Sequence, residues 1–360
     1  MIQNIAGPEN PLVTVVLLNW NGQRLLAQFL PALLRTTYSP IEIVVADNGS
    51  TDNSIHFLES EYPQVRILKW SENLGFTVGN NSAIPYISSP YFVLLNTDVE
   101  VTPGWLDGMV KIMQGFPEVV AIQPKILSWG EPDKFEYAGA AGGFLDYLAF
   151  PFCRGRVFQH LETDVGQYDE TCEIAWASGA CILLRKSVVE EHGLFEPSFF
   201  AHMEEIDLCW RLRNHGYKIL CFPFSVVYHV GGGTLSKENP KKTYLNFRNS
   251  LMTLLLNLPT HQLIPKIFIR MILDAVYTAK EVLNGKFYLI SLMFNAHIHF
   301  YQHVPYLLKQ RKKYYPNGVP KKLPNTGILN KLMIVQHFIL GVNSFKEVAG
   351  LINYQIKKNK

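Results

Sequence analysis

The chain has 360 residues, of which 48% are hydrophobic and 18% charged. That is enough for about two domains with a sizeable core, and too apolar for a disordered protein. The formal net charge of +3 hides an asymmetry: residues 1–239 carry 15 basic against 27 acidic side chains, and residues 240–360 carry 18 against 3. Five scattered cysteines (Cys153, Cys172, Cys181, Cys209 and Cys221) argue against a disulfide framework or a thiolate zinc site and for a reducing compartment; the first ten residues lack the basic and apolar regions of a signal peptide.

Residues 12–18 form a short apolar run ending in Asn19-Trp20-Asn21-Gly22, which reads as a buried strand and its turn. Leu25, Leu26, Phe29, Leu33 and Leu34 recur at helical spacing through 23–37. A second strand at 41–46 ends in Asp47-Asn48-Gly49-Ser50, followed by a helix over 52–61 and a third strand at 65–69. Asn73-Leu74-Gly75-Phe76 is a turn before a helix over 77–87 that Pro85 cuts. A fourth strand, 91–95, runs into Asn96-Thr97-Asp98, and Pro103 opens a helix over 103–116. Strands alternating with helices predict a mainly parallel central sheet with flanking helices, a Rossmann-like α/β unit.

From 117 the pattern is irregular, with many glycines and aromatics, until Trp176-Ala177-Ser178-Gly179-Ala180-Cys181-Ile182-Leu183-Leu184 resolves as a strand. A short helix at 186–193 follows, then a helix over 204–215 closed by Gly216, extended segments at 217–222 and 225–229, and three glycines at 231–233. Beyond about 244, apolar and basic residues alternate in helical stretches at 245–257, 262–283, 286–312 and 328–355. None holds about 18 uncharged apolar residues in a row, so none reads as a membrane span. The chain divides into a unit over 1–243 and a basic, apolar helical region over 244–360. That region either lies in a membrane interface, with Lys309, Arg311, Lys312 and Lys313 on its flank, or packs on the sheet unit. Its helices are too apolar for a nucleic-acid face, and the acidic body would repel a phosphate backbone.

In open α/β sheets, ligands bind outside the carboxyl ends of the strands. That edge collects Asn19, Trp20, Asp47, Asn48, Asn96 and Asp98, without the glycine-rich fingerprint of a dinucleotide fold or the Gly-Lys-Ser/Thr of a phosphate loop. The run Ala201-His202-Met203-Glu204-Glu205-Ile206-Asp207 packs three acids into four positions. Crowded carboxylates raise one another's proton affinity, which suits a general base; equally, acids favour a helix N-terminus. The other polar positions also have structural readings: Asp47 in its turn, Asp98 as a helix cap, His229 in the core and the glycines as a link.

Seven segments together resemble the family 2 glycosyltransferases, in the branch containing bacterial rhamnosyltransferases. They are Val-Val-Leu-Leu-Asn-Trp-Asn-Gly at 15–22, Val-Val-Ala-Asp-Asn-Gly-Ser-Thr-Asp at 44–52, Asn-Leu-Gly-Phe-Thr-Val-Gly-Asn-Asn at 73–81 and Leu-Leu-Asn-Thr-Asp at 94–98. Trp-Ala-Ser-Gly-Ala at 176–180, the Glu-Glu-x-Asp-Leu-Cys-x-Arg run at 204–211 and Tyr-His-Val-Gly-Gly-Gly-Thr at 228–234 complete the set, which covers about 12–250.

The resemblance implies a GT-A fold, a nucleotide-diphosphate sugar donor of the dTDP-rhamnose or UDP-hexose class, and an inverting single displacement. It implies a lipid-linked or polysaccharide acceptor in cell-surface glycan synthesis, at the inner face of the plasma membrane on the cytoplasmic side. Glu205 aligns with the family's catalytic base, with Glu for the usual Asp and Glu204 in reserve. Asp98 and His229 would hold a divalent cation, Mg²⁺ or Mn²⁺; Asn96 stands where many relatives have a second carboxylate. Leu18, Trp20, Asp47, Asn48, Asn73 and Gly75 would line the nucleotide, Trp176, Ser178 and Gly179 the sugar and acceptor, and Arg248 the diphosphate. The alternatives are a sugar nucleotidyltransferase, which needs a basic glycine-rich loop that 7–24 does not supply, and a non-catalytic carbohydrate-binding protein.

Overall fold

A computed structural model describes residues 10–231, 239–322, 324 and 326–352. Gly232, Gly233 and Thr234 of the glycine motif, and residues 353–355 of the last expected helix, lie outside the described residues. The first half alternates as its sequence predicts: β1 (Val13–Asn19), α1 (Gln23–Leu34), β2 (Ile41–Asp47), α2 (Ser54–Glu61), β3 (Arg66–Lys69), α3 (Gly75–Ala83) and β4 (Tyr91–Leu95). β1 lies parallel between β2 and β4, and β2 pairs parallel with β3. Because side chains alternate across a strand, Val15 and Leu17 pack under α1 and α4 (Asp107–Gly115), whereas Val16, Val44 and Leu94 pack in the opposite layer. Both faces are covered, which is why these strands are apolar almost throughout.

The helix expected over 103–116 is shorter, because 102–106 is a turn that buries Trp105 behind β5 (Val99–Val101). The irregular reading of 117–185 is corrected: it contains the ten-residue strand β6 (Val119–Ser128). Gln123, Pro124 and Lys125 break its apolar pattern, yet all three sit in the interior. Gln123 Nε2 donates to Gly139 O (3.1 Å) and Lys125 pairs with Asp164 (2.7 Å). β7 (Gly143–Leu145), β8 (Pro151–Cys153), β9 (Arg156–Val157) and β10 (His160–Leu161) make a small antiparallel sheet.

β11 (Cys172–Glu173), β12 (Cys181–Arg185), α5 (Lys186–His192), α6 (Glu204–Asn214) and β13 (Lys218–His229) return the chain to the main sheet. Its order is β11-β13-β6-β12-β4-β1-β2-β3, with β5 paired to β13; β12 runs antiparallel to both β4 and β6, so the sheet is mixed.

α7 (Pro240–Asn257), α8 (Thr260–Leu283) and α9 (Tyr288–Tyr314) are long and pack on one another, and α7 packs on α6. The helix expected over 328–355 is instead two short ones, α10 (Met333–Phe338) and α11 (Phe345–Ala349). Gly341, in the left-handed region at φ 74°, turns the chain between them, and Leu329 donates to Leu145 O of β7 (2.8 Å). No helix of the described residues is long and apolar enough to cross a membrane.

Candidate active site

β1 and β2 end level, with Asn19 opposite Asp47. Asn19 Nδ2 donates to Asp47 Oδ2 (2.9 Å) and Ser50 Oγ (3.2 Å), while Asp47 Oδ1 accepts from Ser50 N (2.9 Å). Both Asp47 oxygens thus fix the turn. Asn48 clasps the next loop: its Nδ2 donates to Asn73 Oδ1 (3.0 Å) and Gly75 O (3.1 Å), and its Oδ1 accepts from Leu74 N (3.0 Å). Gly75 is required twice over, by its φ of 78° and because a Cβ there would stand 2.6 Å from the Phe200 ring. Leu18 is half-buried beside Gly79, and Trp20, 46% exposed, remains on the rim as an open apolar face.

Asn96 N donates to Ala180 O (2.9 Å), tying the end of β4 to the Trp176–Ala180 segment. A Cβ on Gly179 would stand 3.7 Å from Phe76 and 3.9 Å from Glu205 Cβ. Glu205 is therefore on the same edge as Asn96 and the Asp98 turn, across Gly179. Ser178 and Trp176 support this segment from within. Ser178 Oγ donates to Ala138 O (2.6 Å), its N–H donates to Gln123 Oε1 (2.9 Å), and the buried Trp176 indole donates to Phe144 O (3.0 Å).

The entry into α6 is strained. Phe200, His202 and Met203 all have positive φ, at 66°, 69° and 74°, conformations that cost of order 1–3 kcal/mol each and persist only where neighbours hold them. Arg248 and Asn249 of α7 do so. Asn249 Nδ2 donates to Phe199 O (3.0 Å), Ala201 O (2.9 Å) and His202 O (2.8 Å); Arg248 Nη2 donates to Ser198 O (2.9 Å) and Phe199 O (3.0 Å). Arg248 is thus engaged on the 198–203 strap, and its Nε donates to Asn249 Oδ1 (2.9 Å).

The three acids of α6 part company. Asp207 faces the core, 3.4 Å from Arg211 and accepting from Asn257 Nδ2 (2.6 Å). Glu204 and Glu205 each keep a shielded Oε2 that has no hydrogen-bond partner among the described residues. Burial pushes both carboxyls up, Glu205 to about 7, and the Glu205 charge raises Glu204 further. Orphaned buried acceptors of this kind are rare and mark sites where something else must bind.

His229 Nε2 stands 3.2 Å from Asp98 Oδ1, and its Nδ1 faces Glu136 Oε1 at 3.4 Å without hydrogen-bond alignment. Burial disfavours the imidazolium, but the two carboxylates outweigh it and raise the ring to about 10. Among the described residues no three His, Cys, Asp or Glu side chains form a ready metal cage. The donor chemistry nevertheless fits a hard divalent cation that keeps few protein ligands and completes its shell with phosphate oxygens and water. Asp98 Oδ1 and His229 Nε2, 3.2 Å apart, would be the two protein donors, while the imperfectly satisfied Nδ1 faces Glu136.

Sequence reasoning missed Glu136, Phe76 and Phe200 as parts of the site. Glu136 sits in the stretch without periodicity, so nothing local marked it. The Phe76 ring is visible only once 73–81 is placed against Gly179.

Residues 14–193, half of the chain, match the profile of glycosyl transferase family 2. The chain is 27% identical over 237 residues to an N-acetylglucosaminyl-diphospho-decaprenol L-rhamnosyltransferase of Mycobacterium tuberculosis, covering 61% of this chain and 76% of that one. It is 26% identical over 239 residues to an O-antigen biosynthesis protein of Myxococcus xanthus, covering 65% of this chain but 18% of the relative. Among solved structures, GalNAc-T7 with UDP, GalNAc and Mn²⁺ superposes with a TM-score of 0.57 at 14% identity, covering 86% of this chain and 59% of that one. The architecture is of the GT-A type, a mixed α/β sheet with helices added at the C-terminal end.

Proposed function

The chain belongs to glycosyl transferase family 2, and from that premise we propose that it is an inverting transferase. It moves a sugar from a nucleoside diphosphate, dTDP-rhamnose or a UDP-hexose, to a lipid-linked or polysaccharide acceptor. The observation that carries this reading is Glu205: a carboxyl raised to about 7, with a free Oε2, across Gly179 from the Asp98 turn. Such a group is half ionised near neutral pH and suited to take a proton. The names of the relatives, a rhamnosyltransferase with a decaprenol-linked substrate and an O-antigen protein, favour this donor and acceptor class.

The acceptor oxygen bonds to the anomeric carbon from one side while the carbon–oxygen bond to the diphosphate breaks on the other. The electron pair leaves with the nucleoside diphosphate, and the acceptor proton passes to Glu205. Burial keeps that carboxyl basic, and its charge in turn raises the proton affinity of Glu204. Asn19, Asp47, Asn48 and Asn73 fix the loops that would line the nucleotide, with Trp20 packing on its base. A divalent cation, Mg²⁺ or Mn²⁺, held by Asp98 and His229 would neutralise charge on the departing diphosphate. Residues 1–243 carry the chemistry, with Arg248 and Asn249 of α7 holding the strap that leads into Glu205, and the rest of 244–360 holds the protein at the cytoplasmic face of an anionic membrane.

The test is transfer from labelled nucleotide sugars to a lipid-linked acceptor, followed by NMR assignment of the new anomeric centre. The expected product is inverted, and Asp98→Ala abolishes its formation while leaving the fold intact. A product of retained configuration, or an Asp98→Ala variant as active as the parent, refutes the reading.

A further inference from the structure

The α8–α9 hairpin is turned inside out. A helix on a protein surface buries its apolar stripe and shows its polar one to water. In α8 the i, i+4 ridge that is buried reads Lys266, Arg270, Asp274 and Thr278, and the ridge on the other side, Ile264, Phe268, Ile272 and Val276, is 83%, 64%, 47% and 60% exposed. Most of the inward ridge is partnered, with Arg270 Nε and Thr278 Oγ1 left without a hydrogen-bond partner among the described residues. Lys266 Nζ donates to Tyr147 O (2.7 Å), Arg270 lies 3.5 Å over the Phe150 ring, and Asp274 meets His297 of α9 at 3.1 Å. Specific contacts of Lys266, Arg270 and Asp274 therefore set the orientation.

α9 repeats the pattern. Phe287, Ile290, Phe294, Ile298 and Tyr301 form one exposed stripe. Tyr301 donates to Met271 Sδ of α8 (3.3 Å), so the two stripes adjoin along the seam between the helices. At one end Lys280 sits 5.3 Å over the Phe338 ring, bringing the exposed Phe338, Ile339 and Leu340 beside α8. An apolar face of this extent is far more than scattered surface residues supply.

The charges select the occupant. The hairpin, residues 260–314, holds eight basic and two acidic side chains. Both acids are already paired, Asp274 with Arg270 and His297 and Glu281 with Lys286, while Lys309, Lys312 and Lys313 are exposed. A second copy of the chain would bring a surface of the same sign; a bilayer with anionic headgroups offers apolar depth and negative charge together.

We propose that the joined α8–α9 face is a lipid-docking surface, inserting Ile264, Phe268, Ile272 and Val276 below the headgroups of an anionic bilayer. This deepens the membrane part of the functional reading by assigning it to one face, and it stands on the geometry of the hairpin alone.

The test is flotation of the full chain with phosphatidylcholine vesicles, with and without phosphatidylglycerol, alongside nucleotide binding by thermal shift. The parent floats with the anionic vesicles and salt weakens it. The triple variant Phe268→Asp, Ile272→Asp, Val276→Asp stays in solution, and Lys309→Glu, Lys312→Glu, Lys313→Glu binds roughly a hundredfold more weakly. Both variants melt with the parent and keep its nucleotide shift, since they alter exposed side chains and leave Tyr306, Arg311 and Tyr314, which hold the strap and α7, in place. Unchanged flotation of the first variant overturns the proposal. So does a parent that ignores vesicles and self-associates through this face. Flotation without nucleotide binding would remove the transferase reading and leave the docking surface standing.

Discussion

Replacing Glu205 with Gln separates what this carboxyl does for the reaction from what it costs the fold. Its proton affinity rises from the ordinary 4.5 to about 7, chiefly because the helix start buries it. Two and a half pH units correspond to roughly 3 kcal/mol of penalty on the ionised form, an upper figure that solvent screening of the half-enclosed side chain reduces. The sign follows from the direction of the shift. A carboxyl whose folded-state affinity is raised costs nothing while both states are protonated, begins to cost as the unfolded chain ionises above about 4.5, and reaches the full penalty above about 7. Glu205→Gln is therefore expected to melt with the parent near pH 4 and above it at pH 8, the gap opening between those limits. The same variant loses transfer, because an amide takes no proton. Melting curves across that range, read beside transfer at pH 8, check both halves. Parallel curves at every pH, or a variant that turns over like the parent, would refute the assignment.

Asn249→Ala removes one amide that serves three carbonyls of the strap, so a loss of about 1–3 kcal/mol in chemical denaturation is expected. The sharper expectation is a fall in kcat together with a rise in donor KM, because the strap leads into Glu205 and its Phe200 O also accepts from Phe76 N (2.8 Å) and Thr77 N (3.2 Å) of the nucleotide loop. Gly75→Ala adds a Cβ 2.6 Å from the Phe200 ring at a φ of 78°, costing roughly 1–2 kcal/mol for the backbone alone. Here donor KM rises together with the loss of kcat, since Gly75 O also anchors Asn48.

The half of the site at the ends of β1, β2 and β4 was legible because the sequence itself marks it. Apolar runs stop abruptly at Asn19, Asp47 and Asn96, and side chains one or two residues past a parallel strand must lie on its carboxyl edge. Glu136 and the strap were not legible. Glu136 reaches His229 from the turns between β6 and β7, in a stretch where Gln123, Pro124 and Lys125 had already disguised a buried strand as loop. The interior polar groups of that strand are satisfied only by partners 16 to 55 residues away, Gly139, Asp164 and Ser178, which no local window contains. The polarity of α8 was hidden for a related reason. Composition and period reveal that a helix has two unlike faces, but only its neighbours decide which one turns inward.

Those neighbours also join the α8–α9 hairpin to the strap ahead of Glu205. Tyr306 and Tyr314 of α9 donate to Glu196 Oε1 (2.9 Å) and Oε2 (2.8 Å), and Glu196 Oε1 accepts from Ser198 N (3.1 Å) at the start of the strap. Arg311 of α9 donates to Leu255 O, Leu256 O and Leu258 O at the end of α7, next to Asn257, which in turn holds Asp207 of α6. The carboxyl of Glu205 is thus aimed from two sides by helices that the basic tail contributes. The boundary suggested by the change in composition near 244 falls inside α7, four residues before Arg248. A sheet unit ending there would keep β1 to β13 and Lys241, which lies over the Phe200 ring, but lose Arg248, Asn249 and the α9 tyrosines that hold the strap ahead of α6. The strain at Phe200, His202 and Met203 persists because Arg248 and Asn249 of α7 hold the strap, so the basic helical region restrains the segment ahead of Glu204 and Glu205 and is not a separable tail.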